Sequence, residues 1–167
     1  TGVQTCALPI FGFLRERLGL DLIHYSEREE AILDSPFDFD RQVLLLTASD
    51  FPAPEDPQFL EEACRLLPEI IKSSEGRILV LFTNQRQMIE VYTKISSSLR
   101  DEGYNLYIQG EEPRHRLLNK FRSSQQPVLF GMDSFWEGVD IPGAQLSTVV
   151  LMRLPFRVPT EPLFQAR

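Results

Sequence analysis

Positive charge is in short supply in this chain. Lys and Arg number 17 against 24 Asp and Glu, a formal net charge of -7. That excludes a protein gripping duplex nucleic acid by bulk basicity, because neutralising phosphates takes clustered cations. Any nucleic-acid contact has to be local. Cysteine is scarcer: Cys6 and Cys64 stand far apart with no CxxC or Cys/His spacing, so neither a zinc site nor a disulfide framework is indicated and a reducing cytoplasm fits. His24 and His115 are each alone in sequence, and surface placement suits them better than catalysis. No apolar run reaches the roughly 18 residues of a membrane span, and the amino terminus lacks the basic start and apolar core of a signal peptide. The expectation is a soluble protein with no membrane partner. Two chemical signatures are also absent. No GxxxxGK[ST] loop cradles β- and γ-phosphates, and no acidic box follows a strand to hold a metal. Asp101-Glu102 precedes Gly103 at a helix end, which makes it a decoy for such a box, and no Ser/His/Asp set has a nucleophile turn.

What the chain does have is apolar content and alternation. With 43% hydrophobic residues in 167, it suffices for one domain with a sizeable core. Residues 42–47 (QVLLLT), 77–82 (RILVLF), 106–108 and 128–130 read as buried strands. Between them lie helical patterns. Residues 59–72 form one, bent or shortened by Pro68; Met88, Tyr92, Ile95 and Leu99 share a face of another; Leu117, Leu118 and Phe121 mark a third, opened by Pro113. Residues 11–20 place Phe11, Leu14 and Leu18 at helical spacing before a stop at Gly19. Cys64 falls within a helix beside Leu66 and Leu67, as a small core residue does. Strands alternating with helices of these lengths predict an α/β domain with a mostly parallel sheet covered by helices on both faces. Right-handed crossovers then bring the loops after Phe82, Ile108, Phe130 and Leu154 to one carboxyl edge.

Those loops carry the candidate chemistry, and each has a plainer reading beside it. In residues 128–143 (VLFGMDSFWEGVDIPG), Gly138 lets a backbone approach a ligand closely. Asp140 can accept hydrogen bonds from a ribose hydroxyl or hold an arginine; it can equally cap the turn before Ile141-Pro142-Gly143. Alternation sends one of Phe135 and Trp136 into the core and leaves the other to stack on a base or brace the loop. Ser134 offers a hydroxyl to a phosphate or to the turn itself. Thr83, Asn84 and Arg86 follow a strand and open a helix, which suits a phosphodiester or an ordinary N-cap. Gln109-Gly110 ends the next strand on the same edge.

Taken together, SFWEGVDIPG, the following VVLMRLPF and Val158-Pro159 resemble the DinG-like branch of the XPD-type superfamily 2 DNA helicases. The likeness runs from near Phe11, where FGFLRERLGL is similar to the family's FxxLxxRLGL helix, to Arg167. It implies a RecA-like three-layer fold, the second of two motor domains. It makes residues 134–143 motif V, with Glu137, Gly138 and Asp140 on the nucleotide side. Residues 81–84 (LFTN) become motif IV, so that Thr83, Asn84, Arg86, Gln109, Ser134 and Trp136 fall on the DNA side. ATP and Mg2+ are the implied cofactors of the intact parent, with an iron–sulfur cluster in the first motor domain of many members. The implied partners are single-stranded or forked DNA and the first motor domain of the same chain. On this reading residues 1–10 are a foreign or misassembled end, 11–34 a connecting segment after motif III, and 35–167 a C-terminal motor domain lacking the arginine-bearing motif VI. Some relatives add an N-terminal exonuclease. The rival expectation is a non-catalytic RecA-like module that binds nucleic acid or protein without hydrolysis.

Overall fold

The computed structural model describes residue 12, residues 16–22 and residues 35–155. The chain divides into two units, Thr1–Thr47 and Ala48–Arg167. In the first, Glu16, Arg17 and Leu18 are helical, Gly19 breaks the helix at φ +67, and a 3-10 turn follows at Leu20–Leu22. Phe11, Leu14 and His24 lie outside the described residues, as do Cys6, Val158-Pro159 and residues 164–167. A single helical turn, Phe39–Gln42, holds Gln42. The expected strand over residues 42–47 does not form: no ladder includes it, and Leu44, Leu45 and Leu46 are 79–82% exposed. An apolar run becomes a strand only when a neighbour's backbone pairs with it, and no described residue of this unit offers one.

The second unit carries the sheet. Its strands are β1 (Ile78–Leu81), β2 (Asn105–Ile108), β3 (Pro127–Gly131) and β4 (Thr148–Leu151), in spatial order β2-β3-β1-β4. All three pairings are parallel. Its helices are α1 (Phe59–Ser73), α2 (Gln85–Asp101) and α3 (Arg114–Ser123). Alternate residues of the central strands point to opposite faces and are buried on both. Ile78, Val80, Phe82, Val128 and Phe130 meet Leu67 and Ile71 of α1 and Met88, Val91, Tyr92, Ile95 and Leu99 of α2. Leu79, Leu81 and Leu129 meet Leu117, Leu118 and Phe121 of α3 together with Phe135. The result is the three-layer α/β arrangement expected. β4 is an edge strand: Val150 packs on the first core, whereas Val149 and Leu151 are exposed.

α1 runs unbroken through Pro68 to Ser73 instead of stopping there. Phe59, Ala63, Leu67 and Ile71, four residues apart, bury one continuous stripe, and that burial outweighs the hydrogen bond Pro68 removes. Cys64 sits half-buried on the same core, where burial pushes its thiol pKa up.

The return from α1 to β1 is the tightest point of the fold. Glu75, Gly76 and Arg77 all take positive φ, and so does Gln126 opposite them. A Cβ on Gly76 would stand 2.4–2.6 Å from the backbone of Gln126, so only glycine fits. Gly76→Ala is expected to cost about 3 kcal/mol through left-handed strain and overpacking, lowering Tm by roughly 6–12 °C. Ser97→Ala, on the exposed side of α2, should stay within about 0.5 kcal/mol. Thermal unfolding of both variants checks the pair; equal midpoints would show that the turn tolerates a side chain.

Candidate functional site

β1 and β3 lie side by side, yet the chain leaves them toward opposite faces. After β1 it enters α2, on the face shared with α1; after β3 it runs onto the face occupied by α3. Diverging exits leave a crevice beyond the carboxyl ends of two adjacent strands, where open α/β sheets bind ligands. The walls of that crevice are residues 82–86 and 132–138.

The first wall begins at the half-buried Thr83. Asn84 adopts an extended N-cap conformation, and its side-chain oxygen accepts from the N–H groups of Arg86 (2.9 Å) and Gln87 (3.3 Å). Two of the helix's free amides are thereby occupied from within, so an anion here would meet the Asn84 side-chain amide and the Arg86 guanidinium before any open N-terminus. Arg86 is exposed, with no ion pair among the described residues. Gln109, at the end of β2, ties the walls together differently. Its N–H donates to the Phe130 carbonyl (2.9 Å), and its side-chain oxygen accepts from the N–H of Met132 (2.7 Å). It anchors the start of the second wall.

In that second wall a 3-10 turn, Asp133–Phe135, leaves Ser134 exposed and turns Phe135 inward to 2% exposure. Trp136 is half-buried against the α3-side core, and its indole N–H is buried with no partner among the described residues. Both aromatics therefore brace the loop, Phe135 wholly and Trp136 in part. The chain then follows α3 from the carboxyl edge toward the amino edge. Arg114, first residue of α3, donates through Nη2 to the carbonyls of Gly138 (2.6 Å) and Glu137 (3.1 Å), with its guanidinium 5.5 Å from the Phe135 ring centroid. Arg122, in the last turn, donates through Nη2 to the Asp140 carbonyl. Gly138 has φ +65, which side-chain-bearing residues rarely adopt. Glu137 and Asp140 are exposed and their carboxylates carry no ion pair among the described residues.

The structure thus gathers Thr83, Asn84, Gln109, Ser134 and Gly138 at the carboxyl edge and sets Asp140 farther along α3. Sequence reasoning missed the two arginines that hold the loop. Their signal was present: by helical spacing Arg114 falls within the sector of the apolar stripe Leu117, Leu118 and Phe121, where a cation needs a partner, and Arg122 borders that stripe. A cavity of about 390 Å³ opens elsewhere, at the amino edge, lined by Glu75, Arg77, Arg122, Gln126 and Gln145 among others. None of the candidate nucleotide- or DNA-side residues read from the sequence lines it, and strand polarity favours the opposite edge.

Residues 67–167 match the family of the helicase C-terminal domain. The chain belongs to that family. This helicase C-terminal domain is 34% identical over 163 residues to the 3'-5' exonuclease DinG of Bacillus subtilis, covering 94% of this chain and 17% of that protein. It is 33% identical over 153 residues to the ATP-dependent DNA helicase YoaA of Escherichia coli, covering 88% and 24%. The ATP-dependent DNA helicase DinG of Photobacterium profundum is 34% identical over 138 residues, covering 80% and 20%. The chain spans about a fifth of the length of these relatives. The DinG-like resemblance read from SFWEGVDIPG is borne out, and the crevice falls within the matched residues.

The cap in the first wall can be separated from its exposed neighbour. Asn84→Ala should cost about 1 kcal/mol by leaving two amides unpaired. Arg86→Ala should stay within about 0.5 kcal/mol, as surface changes do. Chemical denaturation measures both, and an Arg86 loss as large as that of Asn84 would make Arg86 a structural residue.

Proposed function

We propose that this domain is the second motor domain of an ATP-dependent, DinG-like DNA helicase that couples ATP hydrolysis to translocation on single-stranded DNA and duplex unwinding. The observation that carries this reading is the crevice between the β1 and β3 exits, walled by two loops that lie within the residues matching the helicase C-terminal family and that resemble its motifs IV and V. Such a domain acts with a first motor domain of the same chain, which brings the phosphate loop and the Mg2+ box that these residues lack. The setting is cytoplasmic DNA repair or replication. Among the described residues no helix is long and apolar enough to cross a membrane.

Glu137, Gly138 and Asp140 form the nucleotide side. Gly138 carries no side chain and is exposed, with its carbonyl held by Arg114, so a nucleotide can approach the rest of its backbone closely, and the two unpaired carboxylates accept hydrogen bonds from ribose hydroxyls or an arginine of the facing domain. ATP supplies the phosphoryl chemistry; this chain's residues orient it. Thr83, Asn84, Arg86, Gln109, Ser134 and Trp136 form the DNA side, where Arg86 supplies an exposed local cation. Asn84 and Gln109 contribute through the loops they fix, and Trp136 through the loop it braces. Where the parent carries an iron–sulfur cluster, as many members of the family do, the resemblance assigns it to the first motor domain.

In the parent helicase, Asp140→Ala should lower DNA-stimulated ATP turnover about tenfold or more, equivalent to at least about 1.4 kcal/mol of lost transition-state stabilisation, with much less effect on DNA affinity. Arg86→Ala should instead weaken binding to all sequences alike and reduce the salt slope by about 0.7, one phosphate contact on a single strand. Phosphate-release assays and binding titrations at several salt concentrations measure the two effects. Unchanged turnover in a folded Asp140→Ala protein would leave Asp140 a turn cap and favour the non-catalytic binding module.

A further inference from the structure

The start of α3 breaks a local rule. Its first three residues are Arg114, His115 and Arg116, with no acidic residue in the first turn and no side-chain cap from Pro113. Cations belong at the other end of a helix, because the amino end already carries partial positive charge. A sequence that violates a local preference is expected to recover the loss elsewhere. Here the recovery is visible in Arg114, whose guanidinium leaves the helix, reaches the Glu137 and Gly138 carbonyls and lies near the face of Phe135. Arg122 makes the matching bond to the Asp140 carbonyl at the far end of the helix.

We propose that Arg114 is a positioning residue that clamps the Glu137–Asp140 loop in its working conformation, with Arg122 as the second point of the clamp. Both arginines bond main-chain oxygens and leave the Glu137 and Asp140 carboxylates unpaired, so they fix the path of the loop without consuming its charge. A planar guanidinium can meet two carbonyls while lying near an aromatic ring, and a lysine ammonium cannot reproduce all three contacts. Pre-setting the loop removes an ordering step from the moment of reaction. This proposal rests on the nucleotide-side reading of the loop.

The chain contains one tryptophan, Trp136, adjacent to the clamped residues. In this chain, Arg114→Ala is expected to shift Trp136 emission to the red and raise its quenching by acrylamide, with Tm and far-UV circular dichroism little changed. In the parent helicase the same variant should lower kcat for ATP about tenfold, the scale of a misplaced active-site group, while KM for ATP and DNA affinity move far less. Arg114→Lys should recover part of kcat, and it carries the test if Arg114→Ala fails to fold. Wild-type quenching and wild-type kcat in Arg114→Ala, beside a turnover defect in Asp140→Ala, would overturn the clamp and leave the nucleotide reading standing. Wild-type turnover in Asp140→Ala would overturn the nucleotide reading itself; the quenching result then decides whether the clamp exists.

Discussion

Everything in the second unit follows from the burial of β1 and β3 on both faces. All nine residues of these strands are buried. Sheet residues alternate in direction, so Ile78 and Val80 need a cover on one side while Leu79 and Leu81 need one on the other. Helices must therefore stand on both faces, and the connections leaving β1 and β3 must part. Their parting creates the crevice. The site is thus a consequence of core packing, built without any cavity being excavated for it.

The two edges of the sheet differ in character for the same reason. At the amino edge, α1, β1 and β3 converge, and the chain accepts left-handed backbone at Glu75, Arg77 and Gln126 to make the turns. Backbone held in sparsely populated regions persists only where the surroundings over-determine it. Ser147 contributes there by donating its N–H to the Arg77 carbonyl (3.0 Å). At the carboxyl edge the loops are fixed by individual side chains: Asn84 caps α2, Gln109 holds Met132, and Arg114 and Arg122 hold residues 137–140. A backbone pinned through side chains leaves other polar groups available for a ligand.

Charge is arranged with the same economy. The net charge of -7 rules out a broad electrostatic grip, so a nucleic-acid strand would be met by few cations at defined places. Of the arginines near the crevice, Arg114 is committed to loop carbonyls, whereas Arg86 remains exposed and uncommitted among the described residues. Exposed pairs such as Lys94 with Glu90 and Arg153 with Glu55 contribute little to stability and serve mainly to solvate the surface.

The sequence by itself determined the elements whose periodicity is dictated by burial. Met88, Tyr92, Ile95 and Leu99 announced α2, the RILVLF and VLF runs announced β1 and β3, and SFWEGVDIPG announced the family, because each is a local pattern with one physical solution. It misjudged elements that depend on partners: QVLLLT has the composition of a strand but no described neighbour to pair with, and α1 continues through Pro68 because four apolar residues hold it to the core. The side-chain cap at Asn84, the inward turn of Phe135 and the displacement of Asp140 along α3 were decided only by the tertiary structure. So was the clamp of Arg114 and Arg122. These features join residues far apart in the chain or depend on which atom a side chain reaches, and hydrophobic period records neither.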